Sequence, residues 1–176
     1  MRRALPIASS LLAGLAALAV GQDAWPRPAE GWWEKLKAGD RAVYEVRQGP
    51  QTMRQVITVD KVDGSQVQYS TQTFLGDQPT PRQTVTIDAR TDPDANGALP
   101  AEAQVKKGGE EKLEVAGRSY TCTVFEVKLP EAELKLWRCA DLPPIFAGSN
   151  LKIEARDHGE QSSMTLVELT LASAAQ

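Results

Sequence analysis

Thr121-Cys122-Thr123-Val124-Phe125-Glu126-Val127-Lys128 and Glu133-Leu134-Lys135-Leu136-Trp137-Arg138-Cys139-Ala140 are two alternating runs, and Leu129-Pro130-Glu131-Ala132 lies between them. Alternation of this kind is the period of a β-strand. The four residues between suit a hairpin loop with Pro130 at the second position of a type I turn. Closing the hairpin with Lys128 opposite Glu133 sets every other pair. Glu126 falls opposite Lys135, Val124 opposite Trp137, Phe125 opposite Leu136 and Val127 opposite Leu134. Cys122 then faces Cys139. A slip of one residue breaks nearly all of these matches, so the register is well specified.

A bond between Cys122 and Cys139 would close a loop of about 17 residues, worth roughly 3 kcal/mol in the chain-entropy model. The competing reading is two buried thiols, because direct cross-strand bonds sit near the edge of disulfide geometry. The hairpin also changes its apolar side. Cys122, Val124, Trp137 and Cys139 share one face, while Phe125, Val127, Leu134 and Leu136 share the other. A bulge, or a curved sheet covered on different sides, accommodates such a switch.

The same period runs outward from this hairpin. Ala42, Tyr44 and Val46 alternate with Val43, Glu45 and Arg47; Val67, Tyr69, Thr71 and Thr73 alternate with polar positions; Val85 and Ile87 continue the pattern. Turns are expected at Gln48-Gly49-Pro50-Gln51 and Asp157-His158-Gly159-Glu160. A three-residue loop at Val62-Asp63-Gly64 would pair Val59 with Val67 and Ile57 with Tyr69. A two-residue turn at Gly117-Arg118 would pair Val115 with Tyr120 and Leu113 with Cys122. Trp32–Ala38 reads as a short helix with Trp32 and Leu36 on one face and Gly39 as its stop. Thr91–Gly109 reads as a long loop, or a loop with a short helix around Ala101–Lys106. The fold expected is mainly β: a curved antiparallel sheet or half-barrel of about eight strands with a short N-terminal helix.

The N-terminus directs the chain out of the cytoplasm. Arg2 and Arg3 precede the apolar run Leu11–Leu18, and Ala19-Val20-Gly21 supplies the small residues at a cleavage site. The reading is a cleaved signal peptide at 1–21, a leader with the short helix at 22–40 and a β domain at 41–176. After cleavage no membrane span is expected, and the location is secreted or periplasmic. An uncleaved anchor is the alternative. Arg2-Arg3 lacks the surroundings of a twin-arginine signal. An oxidising destination favours the disulfide. The 176 residues carry 20 basic and 23 acidic side chains, net −3. That balance argues against nucleic acid and anionic headgroups as partners.

Chemistry-bearing residues are few. Asp92, Asp94 and Asn96, followed by Gly97, resemble the opening of a calcium loop. Position twelve, however, is Ala103 rather than the bidentate Glu that Ca²⁺ sites use. A plain turn is the simpler account. His158 is the single His and lies in a turn. Ser162-Ser163 lacks a nucleophile elbow. Glu110-Glu111 and Glu131/Glu133 read as solvated edges rather than acid/base pairs. Trp32, Trp33 and Trp137 form either an aromatic platform for a ligand or the plug of one sheet end. No catalysis and no cofactor are expected.

A set of turns and strands is similar to a known group. The Trp-bearing segment before Ala38-Gly39-Asp40-Arg41-Ala42-Val43-Tyr44 comes first. Val62-Asp63-Gly64, Gly117–Cys122 and Lys135-Leu136-Trp137-Arg138-Cys139-Ala140-Asp141-Leu142-Pro143 follow it. Their order resembles exported bacterial β-sheet proteins, some of which look like the periplasmic lipoprotein-carrier half-barrel superfamily. The resemblance implies a curved sheet with a helix in its mouth and an apolar ligand such as an acyl chain. It transfers no site residues. The functional expectation is a non-catalytic module binding an apolar or peptide ligand on the concave face. The alternative is an envelope or surface interaction domain, with calcium in the Asp92 loop and a protein partner of unspecified kind.

Overall fold

The computed structural model describes residues 30–91, 103–115 and 117–172. The expected signal peptide and the Asp92, Asp94 and Asn96 loop lie outside the described residues.

Alternating sequence becomes ten strands in one open antiparallel sheet. They are β1 (Arg41–Gln48), β2 (Gln51–Asp63), β3 (Gln66–Leu75), β4 (Gln78–Pro79) and β5 (Gln83–Asp88). The second half holds β6 (Gln104–Val115), β7 (Arg118–Lys128), β8 (Ala132–Arg138), β9 (Asn150–Asp157) and β10 (Glu160–Thr170). The spatial order is β4-β3-β2-β1-β10-β9-β8-β7-β6, and β5 pairs with another stretch of β3. Two meanders therefore meet at a single seam, β1 against β10.

The cysteine hairpin has the register its sequence sets. Val124 faces Trp137, Phe125 Leu136, Glu126 Lys135, Val127 Leu134 and Lys128 Glu133. Cys122 and Cys139 form a disulfide, with Cα atoms 4.3 Å apart. The change of buried side is also present. Cys122 and Val124 are buried on one face of β7, Phe125 and Val127 on the other. The neighbouring strand bulges at that place: Lys107 faces Phe125, Glu110 faces Thr123, and the Gly108-Gly109 pair lies between. A Cβ on Gly108 would stand 3.3 Å from the Val124 carbonyl oxygen, so the close approach suits glycine.

Several expectations are corrected. Gln104–Lys107 is strand, not the loop or helix read there, because the glycine pair is absorbed as a bulge. Trp32–Lys35 is one 3₁₀ turn rather than a helix through Ala38. Its end is set when Leu36 turns extended and the Asp40 carboxylate accepts the Lys37 N–H at 2.9 Å. Trp32 and Leu36 are nevertheless both buried. Two hairpins close two or three residues away from the expected register. Asp63 pairs with Gln66, so Gly64, at φ 58°, opens a two-residue loop, and Ile57 faces Thr71. Val115 pairs with Arg118 and Leu113 with Tyr120, which puts Gly117, at φ 74°, second in its loop rather than first. Glycine sits where the backbone turns left-handed, and that need decides the loop. Along most of each ladder the shift is even, so the apolar residues keep their faces.

The main core lies on the face of Phe125, Val127, Leu134, Leu136, Ile153, Met164 and Leu166. Leu142, Ile145, Phe146 and Ala147, from the connection between β8 and β9, belong to the same core, as do Trp32 and Leu36. Phe146 and Ala147 have no exposed surface. Burial pushes the Tyr44 hydroxyl far above its ordinary range. The hydroxyl donates to the Asn150 carbonyl at 3.2 Å. Asp40, fully buried, also accepts the Ala172 N–H at 2.6 Å, tying the start of β1 to the end of β10.

Asp88 closes β5. Hydrogen bonds from Ser65 and then Arg90 lower its pKa to about 2. The depressed value means that its contribution is complete above the ordinary carboxylate range. It is lost as pH falls from near 4 through about 2. An NMR titration should show the Asp88 carboxyl ionised at pH 3, and a midpoint near 4 would remove these bonds from solution.

Candidate functional site

The face opposite the main core is charged, and its pattern follows from strand register. Glu126, Lys135, Glu154, Ser163 and Arg47 stand side by side across β7, β8, β9, β10 and β1. The next row is Lys128, Glu133, Arg156 and Gln161. Signs alternate along both rows and between them, which makes a checkerboard. These nine side chains line one groove of about 730 Å³.

A second groove of about 520 Å³ continues on this face. It brings Leu113, Glu114 and Val115 of β6 to the same walls as Ser163, Thr165 and Val167 of β10. The sheet therefore curls over its charged face until β6 approaches β10, which stands four places along. The concave side of this half is polar. The physical reason is the side switch at Val124/Phe125. It leaves Val124 and Trp137 buried at the closed end and charged residues towards the open end.

Trp137 sits at the join. Its indole N–H donates to Glu111 Oε2 at 2.6 Å. The Lys135 and Lys152 ammonium groups lie 4.5 and 4.6 Å from its ring centroid. That hydrogen bond, together with Lys135 and Lys152, holds Glu111 below the usual carboxylate range. Glu126 and Lys135, opposite as read, find salt bridges on β6 instead: Lys106–Glu126 and Lys135–Glu111, each 3.6 Å. Lys128–Glu133 at 3.8 Å, Lys152–Glu154 at 2.6 Å and Arg47–Glu45 at 2.6 Å lie beside them. Such half-exposed pairs contribute about 0–1 kcal/mol each, so the checkerboard is not what holds the strands together.

The other singled-out residues are dispersed. His158 is exposed in the β9–β10 turn, 3.4 Å from Glu131 and 3.6 Å from Asp157. Trp32 and Trp33 pack edge to face at 6.1 Å, while Trp137 is engaged with its charged neighbours. Among the described residues no three His, Cys, Asp or Glu side chains gather closely enough to hold a metal ion. Sequence reading missed Arg47, Glu154, Arg156 and Gln161 as one surface. The opposed pairs Glu126–Lys135 and Lys128–Glu133 were the visible signal, and extending their rows across β9 needed the tertiary register.

An open, curled antiparallel sheet with a short N-terminal turn and a filled apolar face defines the class. In its fold the chain is similar to MucB. The structure of MucB in complex with MucA(peri) gives a TM-score of 0.50 at 16% identity, covering 82% of this chain and 56% of that one. MucB alone gives 0.49 at 14% identity, over 88% of this chain and 61% of that one. The Pseudomonas aeruginosa MucA/MucB complex gives 0.48 at 17% identity, over 80% and 56%. This chain spans little more than half of each of these chains, and the likeness is one of fold. No protein-family model matches the sequence, and no curated protein matches it either.

Proposed function

We propose that this chain is an exported, non-catalytic binding module that holds an extended protein segment of mixed charge in its checkerboard groove. The observation that carries this reading is the groove's lining. Four basic and three acidic side chains alternate along an open trough, beside Gln161 and Ser163. An extended peptide repeats its side chains at the spacing of a strand and matches such a lattice. An acyl chain needs a continuous apolar cavity. Here Leu142, Ile145 and Phe146, from the β8–β9 connection, are themselves buried in the core with the apolar strand residues. The solved complex of MucB with MucA(peri) supports a protein partner for a sheet of this shape. Among the described residues no helix is long and apolar enough to cross a membrane, which is compatible with a free periplasmic domain.

The test uses labelled 15-residue peptides tiled from extracytoplasmic segments of envelope proteins, with a fluorescent fatty acid in parallel. Peptide binding should weaken with salt, as half-exposed charges require. The pair Lys135→Glu with Arg156→Glu should weaken it at least tenfold, or about 1.4 kcal/mol. Fatty-acid binding that the pair leaves unchanged, with no peptide bound, would restore the lipid reading.

A further inference from the structure

The open sheet has three outer strands among the described residues, and two are blunted. β4 is two residues long and contains Pro79. β6 carries Lys106, Lys107, Glu110, Glu111, Lys112 and Glu114 and is bent by its glycine bulge. Short length, proline, charge and bulges are the usual defences of a sheet edge. β5 has only one of them, a single charge, Asp88, at its last position. Between Gln83 and Ile87 it reads Gln-Thr-Val-Thr-Ile, without a charge, proline or glycine, and Gln83–Thr86 are exposed. Its inner side pairs with β3, Tyr69 against Val85 and Val67 against Ile87. Val85 is 43% exposed, one of few large apolar side chains so placed.

We propose that β5 pairs antiparallel with β5 of a second copy of this chain, about a two-fold axis through Val85. One register makes the strand complementary to itself. Val85 faces Val85 of the second copy, Thr84 faces Thr86, and Gln83 faces Ile87. Arg82 faces Asp88, twice over. Opposite charges therefore meet at both ends, and Val85, the exposed apolar side chain of this strand, is covered at the centre. Val85 lies on the face of Tyr69, so the pair extends an existing strip across the axis. Arg82 already bonds Asp60, and Asp88 is held by Ser65 and Arg90, so both charges are positioned in the single chain. A partner strand with a charge at its centre, or with the Arg82 and Asp88 signs reversed, would fit this edge less well. The interface is short, well below that of a stable dimer, so association is weak and concentration-dependent.

The test is sedimentation equilibrium of the intact protein from roughly 10 µM to roughly 1 mM. Dimer should accumulate with concentration. Val85→Lys places like charges face to face and should raise the dissociation constant at least tenfold. Unchanged near-UV circular dichroism would show that the fold is kept. Val85→Cys should cross-link to itself under mild oxidation, because facing Cβ atoms lie about 4.5–5.5 Å apart. The native cysteines are bonded to each other and do not compete. Thr86→Cys faces Thr84 of the second copy and should remain uncross-linked. A monomer at every concentration overturns the proposal. So does cross-linking of Thr86→Cys as readily as Val85→Cys.

Discussion

Phe146→Ala should lower the free energy of unfolding by about 3–5 kcal/mol, the range for a large side chain removed from a packed interior. Phe146 has no exposed surface and sits among Leu142, Ile145 and Ala147 in the connection between β8 and β9. Loops ordinarily run over the surface and tolerate change. This one is core. Urea unfolding measures the loss, and a change under about 1 kcal/mol would show that the connection does not seal the apolar face. The same variant opens a cavity lined by aliphatic side chains. A fluorescent fatty acid, expected not to bind the unaltered protein, should then gain a site, which ties the stability result to the choice between peptide and lipid.

Replacing Cys122 and Cys139 together by Ala should cost about 2–4 kcal/mol, and the melting temperature should fall by about 6–12 °C. The bond joins positions 17 residues apart, and both cysteines are buried in the same cluster as Val124 and Trp137. The double variant should keep its fold, because the hairpin has independent support from Phe125, Val127, Leu134 and Leu136. Far-UV circular dichroism checks the fold and thermal melting the loss. Free thiols that alkylate without reduction, in protein from an oxidising compartment, would contradict the bond itself.

The parts of the molecule legible in the sequence are those that local pattern controls. The Cys122–Cys139 hairpin could be read because its loop, its alternation and its cysteines all demand one register. The hairpins at Gly64 and Gly117 were legible as turns, but not in register. A glycine marks a left-handed backbone without saying which place in the loop it takes. The β8–β9 connection was silent. Leu142-Pro143-Pro144-Ile145-Phe146-Ala147 has no period, so nothing in it announces burial. The groove was legible only as two opposed pairs, Lys128 with Glu133 and Glu126 with Lys135. Arg47 is 79 residues before Glu126 and joins it only through β10, β9 and β8. Charges on alternating strands read singly as solvent-facing, and the checkerboard emerges only when four registers are laid side by side.

The seam between β1 and β10 has a cost in time. Arg41 and Glu168, 127 residues apart, meet across it at 2.5 Å. A chain that emerges from its N-terminus, whether from the ribosome or across a membrane, presents β1 well before β10. Throughout that interval β1 has one bare edge, and its Ala42, Val43, Tyr44 and Val46 are all side chains that end fully covered. Pairings between strands so far apart in the chain also form slowly once both are present. A chain in which β1 to β5 have emerged without β10 is a sticky half-sheet. Its yield depends on whatever guards that strand until the last one arrives.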